Sequence, residues 1–179
     1  NTHCLLMSAT PIPRTLQLAQ YGDLNISTIK TIPAGRKGTQ TRIVTDKTYE
    51  KYLSFLKTRI SLGEQAYIVV PAITESEKMD MKNVESHVEI YKTIYPDLRI
   101  SALHGQLASE EKIVTLNSFE EGNIDILIST SVIEVGINVL NASLISIYDP
   151  ERFGLSSLHQ LRGRVGRGEK AGFCFLIPD

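Results

Sequence analysis

The fold of this chain is decided by one largely apolar run, Ile124-Asp125-Ile126-Leu127-Ile128-Ser129. A short run of this kind between turn signals is typical of a strand that is buried on both faces of a parallel sheet. Comparable runs lie on either side of it, and we expect further strands at residues 66–70, 100–103, 144–148 and 173–177. These strands alternate with helical patterns, which predicts an α/β domain whose parallel sheet is covered by helices.

Helical spacing of apolar residues fills the intervals between the strands. The positions expected to face the core are Tyr49, Tyr52, Leu53, Leu56 and Ile60 in a first helix, Val84, Val88 and Tyr91 in a second, and Ile113, Leu116 and Phe119 in a third. Asp46 or Thr48 can cap the first helix and Gly63 can end it, while Pro96 and Gly122 end the other two. Functional residues are then expected where the strands end, because ligands bind at the carboxyl edge of open parallel sheets.

Composition allows a compact domain and restricts its partners. The chain has 179 residues, 42% of them hydrophobic, and a formal net charge of -1, which excludes a binder of nucleic acid that is basic over its whole surface but leaves room for a local basic patch. Cys4 and Cys174 show neither metal-ligand spacing nor a disulfide framework, so we expect a reducing cytoplasm. No apolar run approaches membrane-spanning length, and we expect no membrane partner.

The first 35 residues do not follow the alternation of strands and helices. Residues 5–7 are expected to form a short buried strand that pairs with something outside this sequence or with another copy. Pro33-Ala34-Gly35 has the composition of a linker. We therefore expect residues 1–35 to be the tail of a preceding domain plus a linker, and residues 36–179 to form the α/β domain.

The segment Gln160-Leu161-Arg162-Gly163-Arg164-Val165-Gly166-Arg167-Gly168 interleaves three arginines with glycines. Glycine allows close backbone approach and positive φ, and the guanidinium fork suits phosphate oxygens. Arg164 and Arg167 are three residues apart and are expected to point along one helix face. The segment therefore predicts a phosphate-binding site, and the alternative is a basic turn that binds any polyanion.

Half of a nucleotide site is missing from the sequence. No Gly-x-x-x-x-Gly-Lys-[Ser/Thr] loop is present to hold the β and γ phosphates, and no acidic motif for a metal ion is evident. We expect no metal ligand within this chain. Farther upstream, the hydroxyls of Thr130 and Ser131 follow a buried strand and could donate to DNA phosphates or cap the next helix, and Gly136 permits close backbone approach to ribose or phosphate.

Three segments resemble motifs III, V and VI of superfamily 2 helicases in order and spacing: residues 8–15, 129–136 and 160–168. Shorter matches at Gly35-Arg36, at His104-Gly105 and at residues 151–155 make the chain similar to the RecG family of ATP-dependent DNA helicases that remodel forks. The transcription-repair coupling factor shares much of this pattern and remains an alternative. The resemblance implies a RecA-like fold, namely the second lobe of a two-lobed motor with ATP bound between the lobes.

The resemblance also implies what lies outside this sequence. The first lobe would carry the phosphate loop and hold Mg²⁺, so this chain by itself is expected to be inactive as an ATP hydrolase. Implied partners are duplex or branched DNA, such as stalled forks and Holliday junctions in recombination and repair, together with the first lobe and a wedge domain of the same protein. The implied location is the bacterial cytoplasm, at the nucleoid.

Residue roles follow from matching the motifs to this sequence. Arg164 and Arg167 are expected to be arginine fingers for the γ-phosphate, and Gln160 to position phosphate or the attacking water. The residues expected near the nucleotide are Gly136, Asn138, Glu134 and Gly163, and those expected to contact DNA or to couple its movement to hydrolysis are Ser8, Thr10, Thr130, Ser131 and Arg162.

Several of these roles have an alternative. Ser8 and Thr10 could cap the turn at Pro11, and Arg162 could pair with an acidic neighbour. Asn138 stands where the family usually has Asp, so its contact stays open, and Glu134 could satisfy a nearby arginine. For the whole chain the alternatives are an ATP-driven translocase lobe and a passive nucleic-acid-binding module. His104 is expected to be a hydrogen-bonded structural residue.

Overall fold

The computed structural model describes residues 37–72, 77–130, 139 and 141–179, together with residues 5, 7, 27 and 29. The strands are β1 (Thr39–Ile43), β2 (Gln65–Val70), β3 (Ile100–Leu103), β4 (Ile126–Thr130), β5 (Ala142–Tyr148) and β6 (Gly172–Ile177). The helices of this part of the chain are α1 (Tyr49–Ser61), α2 (Glu77–Ile94), α3 (Ser109–Glu120) and α4 (Leu155–Arg162), and a 3-10 turn covers Pro150–Arg152.

The six strands form one sheet in the order β1-β6-β5-β2-β4-β3, and every pairing between them is parallel. Every residue of the interior strands β2 and β4 is buried, which explains why apolar residues predominate in both. Helices α1 and α2 pack on one face of the sheet, and α3 and α4 pack on the other. The α/β fold with helices on both faces is therefore confirmed.

A chain of buried hydroxyls joins α1, α2 and β5 on the first face. The Tyr52 hydroxyl donates to Ser146 Oγ at 2.7 Å and lies 2.9 Å from the hydroxyl of Tyr91. The Tyr91 hydroxyl is in turn 2.8 Å from that of Tyr148. Burial raises the pKa of all three tyrosines, so these phenols remain neutral donors and acceptors.

Most predicted elements are confirmed within one or two residues, but the inward face of α3 was wrong in part. Phe119 is fully buried, whereas the side chain of Ile113 is 57% exposed. Successive residues of a helix are rotated by about 100° around its axis. Ile113 and Phe119 are six residues apart, so their side chains point about 120° apart around the helix. The position of β3 at the edge of the sheet leaves less surface to cover that side of the helix.

Two features were not expected from the sequence. Strand β1 was missed, because Thr39-Gln40-Thr41-Arg42-Ile43 has no apolar run. Helix α4 ends at Arg162, so Arg164 and Arg167 lie in the loop after it and the prediction that they share a helix face is wrong. Gly163 ends the helix and Gly166 follows with φ +70°, a conformation that a helix does not contain.

The structure describes only a few of the N-terminal residues for which the sequence gives predictions. Leu5 and Met7 are 83% and 85% exposed and lie in no strand within this chain, and the expectation that they pair with a strand outside this sequence stays a prediction. In the described part of the chain, no strand pairs with them. The proposed linker and the boundary at residue 35 lie outside the described residues and stay predictions. None of the helices in the described ranges is long and apolar enough to span a membrane.

Candidate functional site

The arginine loop, which we define as residues 163–168, follows α4 and leads to β6. On the side of α4 that faces the sheet, Leu158 and Leu161 pack against the hydrophobic core that the sheet forms with α3. Val165 continues this anchoring from within the loop, since it is only 2% exposed. The loop is therefore fixed by a buried side chain at its centre, between the two arginines that the sequence singled out.

Arg164 and Arg167 are both half-buried on the second face of the sheet. Arg167 Nε donates to the carbonyl oxygen of Gly163 at 3.0 Å, which folds this side chain back toward the end of α4. Burial raises the pKa of the Tyr67 phenol to about 12, and the positive charges of Arg164 and Arg167 oppose that rise. Both guanidinium charges therefore act on the same side chain, Tyr67 of β2.

Gln160 is exposed in the last turn of α4, immediately before the arginine loop. Gly163 has φ -68°, which any residue adopts, and an added Cβ would meet its nearest atom, the Gln160 oxygen, at 3.4 Å. The local backbone thus does not require glycine at position 163. Its expected role near a nucleotide stays a prediction that rests on close approach of a ligand.

Arg162 contacts a different part of the structure from Arg164 and Arg167. Its Nη1 lies 3.5 Å from Thr41 Oγ1 of β1, at the outer limit of a hydrogen bond. Burial raises the pKa of the Cys174 thiol to about 11, and the charge of Arg162 opposes that rise. Arg162 therefore lies beside β1 and β6, and among the described residues its hydrogen-bond partner is a hydroxyl and not a carboxylate.

Thr130 ends β4 beside Val70 and is only 4% exposed. Its hydroxyl is thus near the carboxyl edge of the sheet but largely covered. The remaining residues predicted to bind nucleotide or DNA lie outside the described residues: Ser8, Thr10, Ser131, Glu134, Gly136 and Asn138. The five candidates from Gln160 to Arg167 therefore lie in the last turn of α4 and the loop after it, and the structure gives no geometry for the other six.

His104 follows β3 at the same edge of the sheet and is 8% exposed. Among the residues that the structure describes, its Nδ1 atom has no hydrogen-bond partner, so the expectation of a hydrogen-bonded histidine is not met at that atom within these residues. Sequence reasoning missed Tyr67 and Thr39, both of which lie against the arginine loop or its charges. Neither belongs to a recognisable motif, so no signal in the sequence could have found them.

The side chains at this site suit an anion. Two guanidinium groups and a glycine-rich backbone offer donors for phosphate oxygens. Among the residues that the structure describes, no group of three or more His, Cys, Asp or Glu could hold a metal ion. The described part of the site therefore fits the phosphates of a nucleotide and supplies no cage for Mg²⁺.

Comparison with known proteins places this geometry in a family context. Residues 47–169 match the family model described as helicase conserved C-terminal domain. The chain is 47% identical over 178 residues to the ATP-dependent DNA helicase RecG of Synechocystis sp., covering 99% of this chain and 21% of that protein. It is also 47% identical to the ATP-dependent DNA helicase RecG of Thermotoga maritima, covering 97% of this chain and 22% of that protein.

A solved structure shows the same fold. The structure of RecG bound to a three-way DNA junction matches with a TM-score of 0.76 and 44% sequence identity, and the match covers 96% of this chain and 22% of that one. The resemblance to RecG predicted from the sequence is therefore confirmed, as is the RecA-like α/β fold. The chain spans about a fifth of the length of these relatives.

Proposed function

The chain belongs to the family of helicase conserved C-terminal domains, and from that premise we propose that it is the second motor lobe of an ATP-dependent DNA helicase of the RecG type. The similarity to RecG over nearly the whole chain supports this proposal. The observation that carries it is the arginine loop, in which Arg164 and Arg167 flank the buried Val165. Two cations on an anchored loop are suited to a phosphoryl group that gains charge during transfer.

In this proposal, the candidate side chains at the end of α4 and in the arginine loop have different roles. Arg164 and Arg167 donate to the oxygens of the γ-phosphate, and Gln160 orients phosphate or the attacking water. Mg²⁺ would neutralise charge on the phosphate oxygens and would be held by acidic residues of the first lobe. Arg162 lies beside Thr41 and Cys174, which favours a role in supporting the loop over direct contact with the nucleotide.

The proposed DNA substrate is duplex or branched. One RecG relative has been solved bound to a three-way DNA junction, and we extend that substrate to this protein. Side-chain hydroxyls and backbone amides at the strand ends would bind phosphates without reading sequence, as a translocase requires. The other proposed partners are the first lobe and a wedge domain of the same protein. The proposed location of the protein is the bacterial cytoplasm, at the nucleoid.

The test uses the full-length protein with both lobes and measures DNA-stimulated ATP hydrolysis. Arg164→Ala and Arg167→Ala should each lower kcat by about a thousandfold or more, since they remove charge that acts on the transition state. Lys170→Ala is the matched control, because Lys170 is an exposed cation just beyond the same loop, and it should keep the parent rate.

A passive binding module predicts a different pattern. If both arginine variants kept the parent rate of hydrolysis while their affinity for DNA fell, the arginine fingers would be wrongly assigned and the loop would be a DNA contact. If all variants, including the parent, showed no ATP hydrolysis with any DNA, the motor itself would be excluded. Parallel measurement of DNA binding separates these outcomes.

A further inference from the structure

Strand β1 contributes little to the hydrophobic core. Thr39 is half-buried, the other four residues of the strand are exposed, and Ile43 is 67% exposed. The strand nevertheless pairs with β6 along its whole length, from Thr39 beside Gly172 to Ile43 beside Leu176. A strand that is fully paired but poorly buried calls for a role other than core packing.

The start of β1 is bonded to the arginine loop and to the residue where β6 begins. Thr39 Oγ1 donates to the carbonyl oxygen of Val165 at 3.3 Å. The amide of Gly172 donates to the carbonyl oxygen of Gly38 at 3.0 Å. Thr39 is therefore a direct link between β1 and the residue that lies between the two arginines.

Two glycines allow the backbones to approach this closely. Gly166 has φ +70°, and a Cβ added there would lie 2.8 Å from both the Gly38 oxygen and Thr39 Oγ1. A Cβ on Gly172 would lie 2.7 Å from the Gly166 amide nitrogen. The loop thus rests on the first residues of β1 with no room for a side chain between them.

We propose that Thr39 and Gly166 are positioning residues, through which the start of β1 holds Arg164 and Arg167 in place. This inference rests on the proposed function. Only residues 36–38 separate the segment expected to link the two lobes from Thr39, so a shift of the first lobe would reach the arginine loop through a short length of chain. The arginines are positioned by the strand that enters the lobe as well as by the core beneath them.

The test compares Thr39→Val with Thr39→Ser in the full-length protein. Valine keeps the shape of threonine and removes the hydroxyl, whereas serine keeps the hydroxyl. We expect Thr39→Val to lower kcat for DNA-stimulated ATP hydrolysis by about threefold to tenfold, the effect of one lost hydrogen bond, with the KM for ATP and the Tm unchanged. Thr39→Ser should retain the parent kcat, as should Gln40→Ala, a control at the next, exposed position.

Gly166→Ala is the second variant. The added methyl must push the loop away from Gly38 and Thr39, so its kcat should fall further than that of Thr39→Val. A Thr39→Val protein with the parent kcat, or a Thr39→Ser protein that falls equally, would overturn the proposal. So would a lower Tm with unchanged kcat, which indicates a structural role alone.

The same assay distinguishes failure of this inference from failure of the proposed function. If Arg164→Ala loses ATP hydrolysis and Thr39→Val does not, Arg164 is supported as an arginine finger and the positioning role of Thr39 is wrong. If Arg164→Ala keeps the parent rate, the proposed function falls and the positioning role falls with it.

Discussion

Glu64 is a carboxylate buried where β2 begins, and its partners explain how the chain tolerates it. The Glu64 side chain is 1% exposed, Arg59 Nη2 donates to Oε1 at 2.8 Å, and Arg59 Nε lies 2.6 Å from Oε2. Ser143 Oγ donates to Oε1 at 2.5 Å. A charge removed from water to this extent is stable only while its partners remain.

Replacing Arg59 with alanine should therefore destabilise the fold far more than loss of an ordinary surface arginine. We expect the free energy of unfolding to fall by about 3 kcal/mol, the lower end for a broken buried pair, because Ser143 still donates and Arg59 is partly exposed. Urea denaturation of the parent and of Arg59→Ala measures this, and Lys57→Ala on the exposed side of the same helix is the control. A loss of under about 1 kcal/mol would show that the pair behaves as a surface ion pair.

At single positions, the sequence indicates candidate residues but not where their side chains lie. It identified Arg164 and Arg167 from the guanidinium groups and the glycines beside them. Their placement was wrong, because α4 ends at Arg162 and the turn at Gly166 follows. Thr39 could not be found, since its role arises from a parallel pairing with residues about 130 positions away.

Between elements, Arg99 and Asp125 fasten the starts of β3 and β4. Arg99 donates to Asp125 through its backbone amide at 2.8 Å, through Nε at 3.2 Å and through Nη2 at 2.8 Å. Partial burial opposes ionisation of Asp125, but these bonds outweigh it, so the pKa of the carboxyl lies below its ordinary value of 3.8. In the described sheet β3 is an edge strand that pairs with β4, and this clamp adds to that pairing at its start.

The lowered pKa fixes the sign of a pH effect. A carboxyl whose pKa is lower in the folded state adds stability that is fully present above its unfolded pKa and is lost as the pH falls through the folded value. The stability difference between the parent and Asp125→Asn should thus be largest at neutral pH and shrink below about pH 4. Urea denaturation at a series of pH values from 7 to 3 measures it.

Arg99→Ala provides the control for this pH dependence. With the Arg99 side chain removed, the Asp125→Asn substitution should cause a smaller stability difference at neutral pH, and that difference should depend less on pH, with a remainder from the backbone amide of residue 99. An equal pH dependence in both backgrounds would mean that Asp125 draws its stabilisation from another group.

Element positions were predicted well wherever burial on both faces imposed an apolar run, as for β2, β4 and β5. Prediction failed at β1, whose side chains are mostly exposed and which is defined by backbone pairing with β6. It also failed for Ile113, because an edge strand leaves part of a neighbouring helix uncovered. Hydrophobic pattern reports what is buried, so elements held mainly by hydrogen bonds escape it.

On the scale of the whole molecule, the chain carries the two guanidinium groups of the arginine loop but no sequence motif that would cradle the β and γ phosphates. It also spans only about a fifth of the length of its RecG relatives. Arginine fingers accelerate transfer only when the phosphates and the metal ion are held by other groups. The arginine loop is therefore expected to be catalytically silent when it is separated from those groups.

The 179-residue chain alone should accordingly hydrolyse ATP no faster than its own Arg164→Ala variant, with or without duplex or branched DNA. The two proteins are purified in parallel and phosphate release is followed at saturating ATP, so that a contaminating hydrolase contributes equally to both. Circular dichroism confirms that both are folded. Turnover by the parent chain more than about tenfold above Arg164→Ala would mean that these residues form a complete site, since that ratio requires over 1 kcal/mol of transition-state stabilisation from Arg164. Equal, near-zero rates, together with a large loss for Arg164→Ala in the full-length protein, would place the finger in a site that two lobes share.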